Sequence, residues 1–155
     1  MAQQTLLRAI QMDPNNPRAY NALGELNLYA LNSPSAAMQY YQAAIAHGGE
    51  AVFHVLHDHS ADSFVTHCQG YLRISANGVR YQPVPQTSHG FAVSKAQVRE
   101  VRTNREIGLT FGHKRPSIEF HSFHIRLADG QNFNFAGQSR SGEAERQMIL
   151  GLIGR

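Results

Sequence analysis

The sequence predicts an α+β fold: an N-terminal helical hairpin, then a small antiparallel β-barrel or sandwich capped by a C-terminal helix. Three observations carry this expectation. Up to about residue 48, apolar residues recur at three- and four-residue steps between Asn-Pro and Ser-Pro start signals. Beyond it, short alternating segments are separated by Asn77-Gly78 and Asp129-Gly130, the pairs that favour tight hairpins. A last apolar stripe at helical spacing closes the chain. Formal charge divides at the same place, net −1 over residues 1–50 and +4 over the rest of a chain that carries +3. The expected domains are therefore 1–50 and 51–155.

Leu6, Leu7, Ala9 and Ile10 form a helical stripe that stops at Asp13-Pro14-Asn15-Asn16. Asn16 is a good N-cap and Pro17 a good first helical residue, so a second helix should run to about Leu31. Ser33-Pro34 repeats that signal for a third helix, with Ala37, Met38, Tyr41, Ala44 and Ile45 on one side and Gly48-Gly49 as its end. Strands are expected at Val52–His57, Gly70–Ser75, Val79–Tyr81 and Phe91–Ser94. A further hairpin should join Phe123–Leu127 to Asn132–Phe135, so that Phe133 and Phe135 meet Phe123, Ile125 and Leu127 across the turn. Pro83-Val84-Pro85 demotes its segment to an edge or a loop. The final helix, about 141–154, should be capped by Ser141, carry Glu143 and Glu145 at its positive end, and bury Met148, Ile149 and Leu152.

Composition removes several classes. At 42% apolar and 16% charged, the 155 residues do not have the low hydrophobicity and high charge of disordered chains. No apolar run approaches the roughly 18 residues that span a bilayer, and no basic stretch followed by an apolar core marks a signal peptide, so a cytoplasmic protein is expected. One cysteine, Cys68, excludes an internal disulfide framework and a multi-cysteine zinc site.

Two resemblances rest on particular residues. Pro17-Arg-Ala-Tyr20-Asn-Ala-Leu23-Gly24 and Ala37-Met-Gln-Tyr-Tyr41-Gln-Ala-Ala44 resemble the two helices of a tetratricopeptide repeat, and Ala9–Asn16 resembles the tail of a preceding one. Ala9 and Ala44 stand one residue more than a 34-residue repeat period apart. The resemblance covers residues 2–49, about one repeat plus a preceding helix. Asn27 or Leu28 stands where the family usually has Tyr, and Gly48-Gly49 replaces its proline. Over residues 51–155, Cys68-Gln-Gly70–Tyr81, His89-Gly-Phe91-Ala-Val93 and Phe123–Gly130 resemble a bacterial pleckstrin-homology-like barrel, with a generic open sheet on one helix as the runner-up. Because Met1 opens within a repeat signature, the chain is expected to be a fragment of a larger multidomain protein.

The repeat resemblance implies a concave groove exposing Arg18, Asn21, Glu25, Leu28 and Tyr29 to a protein or peptide; the alternative for Leu28 and Tyr29 is packing on the barrel. A homodimer through exposed repeat helices is the other way to cover the apolar stripes. Lys95, Arg99, Arg102, Arg105, Lys114 and Arg115 form a basic stretch suited to anionic lipid headgroups, read by default as a solvated face. Only Phe111 interleaves with those residues, so nucleic acid is not expected. His54, His57, His59 and His67 lie close in sequence, and in a strand His57 and His59 share a face. No zinc-enzyme spacing accompanies them, so the region is read as a polar strand end with no metal and no cofactor. Cys68 reads as a small buried hydrophobe, since His67 points to the opposite strand face. The expected function is a non-catalytic protein-interaction or scaffold module, with peripheral binding to anionic lipid as the alternative and a histidine-centred metalloenzyme as a distant third. Residues 51–155 are expected to fold alone and 1–50 not to.

Overall fold

The structure is a computed structural model that describes residues 1–60, 64–85, 89–104 and 121–154. α1 (Ala2–Met12) stops before Pro14, and α2 (Pro17–Glu25) starts where expected. The Asn16 carboxamide oxygen accepts from the N–H of Arg18 at 3.1 Å and of Ala19 at 3.4 Å, satisfying two of the donors a helix start leaves open. α2 does not run evenly to Leu31. It widens into a π turn over Leu26–Ala30, where the N–H of Leu31 donates to the carbonyl of Leu26 at 3.0 Å. α3 (Pro34–Ala46) packs back on α2 through Gly24, against which the fully buried Tyr41 ring lies flat. A Cβ at position 24 would stand 2.5 Å from that ring, so only glycine lets the helices approach so closely.

Seven strands follow: β1 (Glu50–Asp58), β2 (His67–Ser75), β3 (Gly78–Val84), β4 (Phe91–Ser94), β5 (Val98–Thr103), β6 (Ser122–Leu127) and β7 (Asn132–Gly137). They make one antiparallel sheet in the order β4-β3-β2-β1-β7-β6-β5, and α4 (Gly142–Ile153) ends the fold. β4 and β5 lie at opposite edges, yet a single turn of Lys95–Gln97 joins them. Three residues reach about 10 Å, whereas six strand spacings of about 4.8 Å would hold flat edges ~29 Å apart. The sheet is therefore rolled on itself. Ring contacts across the interior agree: Phe91 of β4 lies 4.6 Å from Phe133 of β7, and Tyr81 of β3 lies 5.0 Å from Phe135.

Both expected hairpins form, and the second pairs Phe123 with Phe135 and Ile125 with Phe133. Two local readings change. Pro83 belongs to β3, an interior strand, but lies beyond the end of β4, which pairs only with Gly78–Tyr81; among the described residues no strand partner there needs the N–H that proline lacks. β5 was hidden by its charges: Arg99, Glu100 and Arg102 stand out from a short edge strand that turns Val98 and Val101 inward. Ser141 precedes α4 without capping it, and its hydroxyl donates instead to the Asn32 side chain at 2.6 Å.

The core is continuous across residue 50. Leu28, Ala37 and Tyr41 of the helices belong to the same buried cluster as Ala51, Phe53, Leu72, Ile125, Phe135, Met148 and Ile149. The expectation that residues 51–155 fold alone supposed a barrel enclosing its own core; here the helical hairpin covers part of β1.

Candidate functional site

β1 carries the junction between the helices and the sheet. β7 pairs with β1 only over Val55–His57, so the N–H and C=O groups of Val52 and the N–H of His54 face past its end. Helical side chains take them up. The Val52 N–H donates to the Asn21 carboxamide oxygen at 2.9 Å, and its carbonyl accepts from the Tyr41 hydroxyl at 3.0 Å. The His54 N–H donates to the Tyr29 hydroxyl at 2.8 Å. Backbone groups that a strand would have paired are thus satisfied by three helical side chains.

The five residues expected to form an open groove sit along this junction. Leu28 is 1% exposed in the core, and Tyr29 is half-buried. Glu25 receives the Asn21 amide at 2.6 Å and faces the His54 Nε2 at 3.0 Å. Arg18 and Asn21 line a cleft of about 420 Å³ with Glu50 and Arg73, where Glu50 pairs with Arg73 and Arg80. The structure brings Asn21, Glu25, Leu28 and Tyr29 together against this chain's own sheet, and Arg18 alone of the five is exposed. The groove placement assumed a free helix face; here Asn21 and Tyr29 bind that face to β1.

Tyr29 also donates to the Glu145 carboxylate of α4 at 2.6 Å, so one hydroxyl joins α2, β1 and α4. The second oxygen of Glu145 accepts from the Ser139 N–H at 2.8 Å. Glu145 is fully buried, and burial pushes its carboxyl above the usual carboxylate range against the opposing effect of those hydrogen bonds. Burial, then the nearby Glu145 charge, likewise holds the Tyr29 hydroxyl protonated. Gly137 leaves room for this carboxylate, which lies where a Cβ would be.

Of the basic stretch, Lys95, Arg99 and Arg102 lie among the described residues, and Lys95 and Arg99 line one cleft with Glu100. Lys95 donates from Nζ to the Leu152 carbonyl at 2.8 Å, closing the end of α4. Arg102 pairs with Glu100 at 3.1 Å, and Arg99 is exposed on β5. Arg105, Lys114 and Arg115 lie outside the described residues.

A third group was not legible as a set. Antiparallel pairing puts Cys68 of β2 opposite His57 of β1, with Sγ 3.7 Å from Nδ1. His59, just past β1, lies 4.8 Å from His57 between ring centroids, and His89, just ahead of β4, lies 4.5 Å from His59. One ligand atom from each of His57, His59, Cys68 and His89 falls within 4.8 Å of the other three. The Tyr81 hydroxyl is 3.2 Å from Cys68 Sγ, and the rings of Tyr81, Phe133 and Phe135 wall the inner side of His57. Burial, assisted by the neighbouring His59 and His89, holds the His57 imidazole down at about 4. Sequence reasoning placed His57 and His59 on one face but missed Cys68 and His89. The strand register across the first hairpin and the roll of the sheet, rather than any spacing, unite them. His67 turns away, its Nδ1 set 3.0 Å from the Phe64 carbonyl, and His54 is held at the junction.

No family model matches this chain, and no curated protein does. Among solved structures it is similar to the C-terminal domain of an unknown protein from Leishmania infantum, at TM-score 0.48 and 8% identity, over 77% of this chain and 96% of that one. The likeness is too distant to carry an argument about fold or function.

Proposed function

We propose that this chain is a non-catalytic protein-interaction module: a repeat-like helical hairpin fused to a pleckstrin-homology-like barrel, with the helices as its contact surface. The observation that carries this reading is α1. It has a pronounced apolar stripe but buries no residue; Leu6, Ala9 and Ile10 are half-covered, while Leu7 is 37% and Met12 80% exposed. α2 and α3 spend their inner faces on β1, which leaves α1 as the outward end of the helical layer. An amphipathic helix with one side open is completed by another helix laid along it. A second copy of this chain supplies such a helix in the simplest case.

The non-catalytic part of the reading rests on how the buried polar groups are engaged. Glu145 is bound by Tyr29 and Ser139, Arg146 by Ser122 and Glu143, and Tyr41 by Val52. Apart from the Arg146–Glu143 pair within α4, these contacts tie separate parts of the fold together. The lipid alternative is weaker, because Lys95 of its basic set is bound to the end of α4 and Arg102 shares its charge with Glu100 at the surface.

Sedimentation velocity across the micromolar range tests the proposal. Reversible self-association that Leu7→Glu with Met12→Glu abolishes, without change in the far-ultraviolet dichroism, is the expected result. Identical monomeric behaviour of the wild type and the double variant throughout that range overturns it.

A further inference from the structure

We propose that His57, His59, Cys68 and His89 bind a single zinc-type divalent ion, which pins the β1–β2 hairpin to the segment leading into β4. This goes beyond the interaction reading and is independent of it, since none of the four residues lies on the helices.

Geometry comes first. Bonds of about 2.3 Å to sulfur and 2.05 Å to imidazole nitrogen put the ligands of a tetrahedral zinc roughly 3.3 to 3.6 Å apart. The Cys68 Sγ to His57 Nδ1 separation of 3.7 Å already matches one edge of such a tetrahedron. The widest spacing in the set, 4.8 Å, must close by roughly 1.2 to 1.5 Å, through side-chain torsions of the exposed His59 and His89.

The donor set is equally selective. One thiolate and three imidazoles suit zinc or cobalt(II), and the absence of a carboxylate from the four argues against calcium or magnesium, which want oxygen. The surroundings supply what metal sites usually have. Tyr81 stands 3.2 Å from the cysteine sulfur, placed to donate to a thiolate, and three aromatic rings keep water from the inner side of His57. The two exposed histidines leave the outer side open to an incoming ion. On binding, the Cys68 thiol gives its proton to solvent and a sulfur–metal bond takes its place. Four protein ligands fill a tetrahedron, so the ion holds structure and has no open position for chemistry. Its structural effect follows from the connections. The four ligands come from the end of β1, the turn after it, β2 and the approach to β4, so the ion ties the β1–β2 hairpin to the β3–β4 hairpin in addition to their strand pairing.

The test is cobalt(II) and zinc titration of the full chain after dialysis against a chelator, at neutral pH. One equivalent of cobalt should produce the visible bands of a tetrahedral site and a near-ultraviolet thiolate charge-transfer band, both removed by one equivalent of zinc. Cys68→Ser should abolish the charge-transfer band. His59→Ala with His89→Ala should weaken binding at least about 10-fold, the lower end for altered metal sites, while His47→Ala changes nothing. Zinc at about a hundred times its dissociation constant should raise the melting temperature by roughly 5–10 °C. Both replaced histidines are exposed, so the double variant keeps its fold and its dichroism verifies this. Octahedral cobalt bands without charge transfer, or wild-type affinity in the double variant, overturns the proposal and leaves the four side chains as a packed ring cluster.

Discussion

Replacing Tyr29 with phenylalanine removes one oxygen and with it two hydrogen bonds, one from the His54 N–H and one to the Glu145 carboxylate. Neither bereaved group has an evident substitute. The His54 N–H faces past the end of β7, and the Glu145 oxygen lies in a fully buried side chain. A neutral hydrogen bond contributes about 0.5–1.5 kcal/mol net and one to a charged group about 1.5–3. The expected loss is therefore about 2–4 kcal/mol, with no cavity term because the ring stays. For a chain of this length that lowers the melting temperature by roughly 4–16 °C. Urea unfolding followed by near- and far-ultraviolet dichroism is the assay, with the slope unchanged and both signals moving together. A double-mutant cycle with Glu145→Gln isolates the hydroxyl–carboxylate bond, whose coupling should be about 1 kcal/mol or more. A Tyr29→Phe variant within about 0.5 kcal/mol of wild type, the range of ordinary surface changes, would refute the reasoning. Helices docked on β1 through side chains would then be a poor description of the junction.

Four further outcomes follow from the same contacts. Gly24→Ala puts a methyl into the Tyr41 ring and should cost about 1–3 kcal/mol, measured by the same unfolding curves; a neutral or stabilising result contradicts the close α2–α3 packing. The raised carboxyl of Glu145 makes stability pH-dependent in a definite sense: folding favours its protonated form, so its contribution is full below the ordinary value of 4.5 and is lost as pH rises through the higher folded value. Glu145→Gln should flatten that part of the stability profile, and an unchanged slope would argue that another group causes it. Residues 51–155 expressed alone should give poorly dispersed amide spectra, because Ala51 and Phe53 lose their cover and the β1 edge its partners; a cooperatively melting fragment would show that the sheet folds without the helices. With Lys95 bound to α4 and the exposed Arg102 offset by Glu100, sedimentation with anionic vesicles at physiological salt should recover little protein, whereas binding lost in Arg99→Glu with Arg102→Glu would restore the lipid reading.

What the sequence by itself determined is the set of elements whose causes are local. Asn16-Pro17 starts α2 because the capping oxygen and its N–H donors are two or three residues apart, and Asn77-Gly78 and Asp129-Gly130 turn the chain within four residues. Alternation of Phe123, Ile125 and Leu127 fixes their face without reference to anything distant. β5 escaped because its charged residues and a register shift between Val98 and Glu100 break the two-residue period on a short edge strand. Tertiary structure alone decided the rest. Tyr29 looks like a groove residue until the partial overlap of β7 with β1 leaves an N–H for it to accept. Cys68 looks isolated until the hairpin register sets it opposite His57, and His89 joins them only because the sheet rolls. The reason is common to both: helix caps and tight turns are set by neighbours along the chain. Which side chains meet across a sheet depends on register, strand length and curvature, which no short stretch of residues encodes.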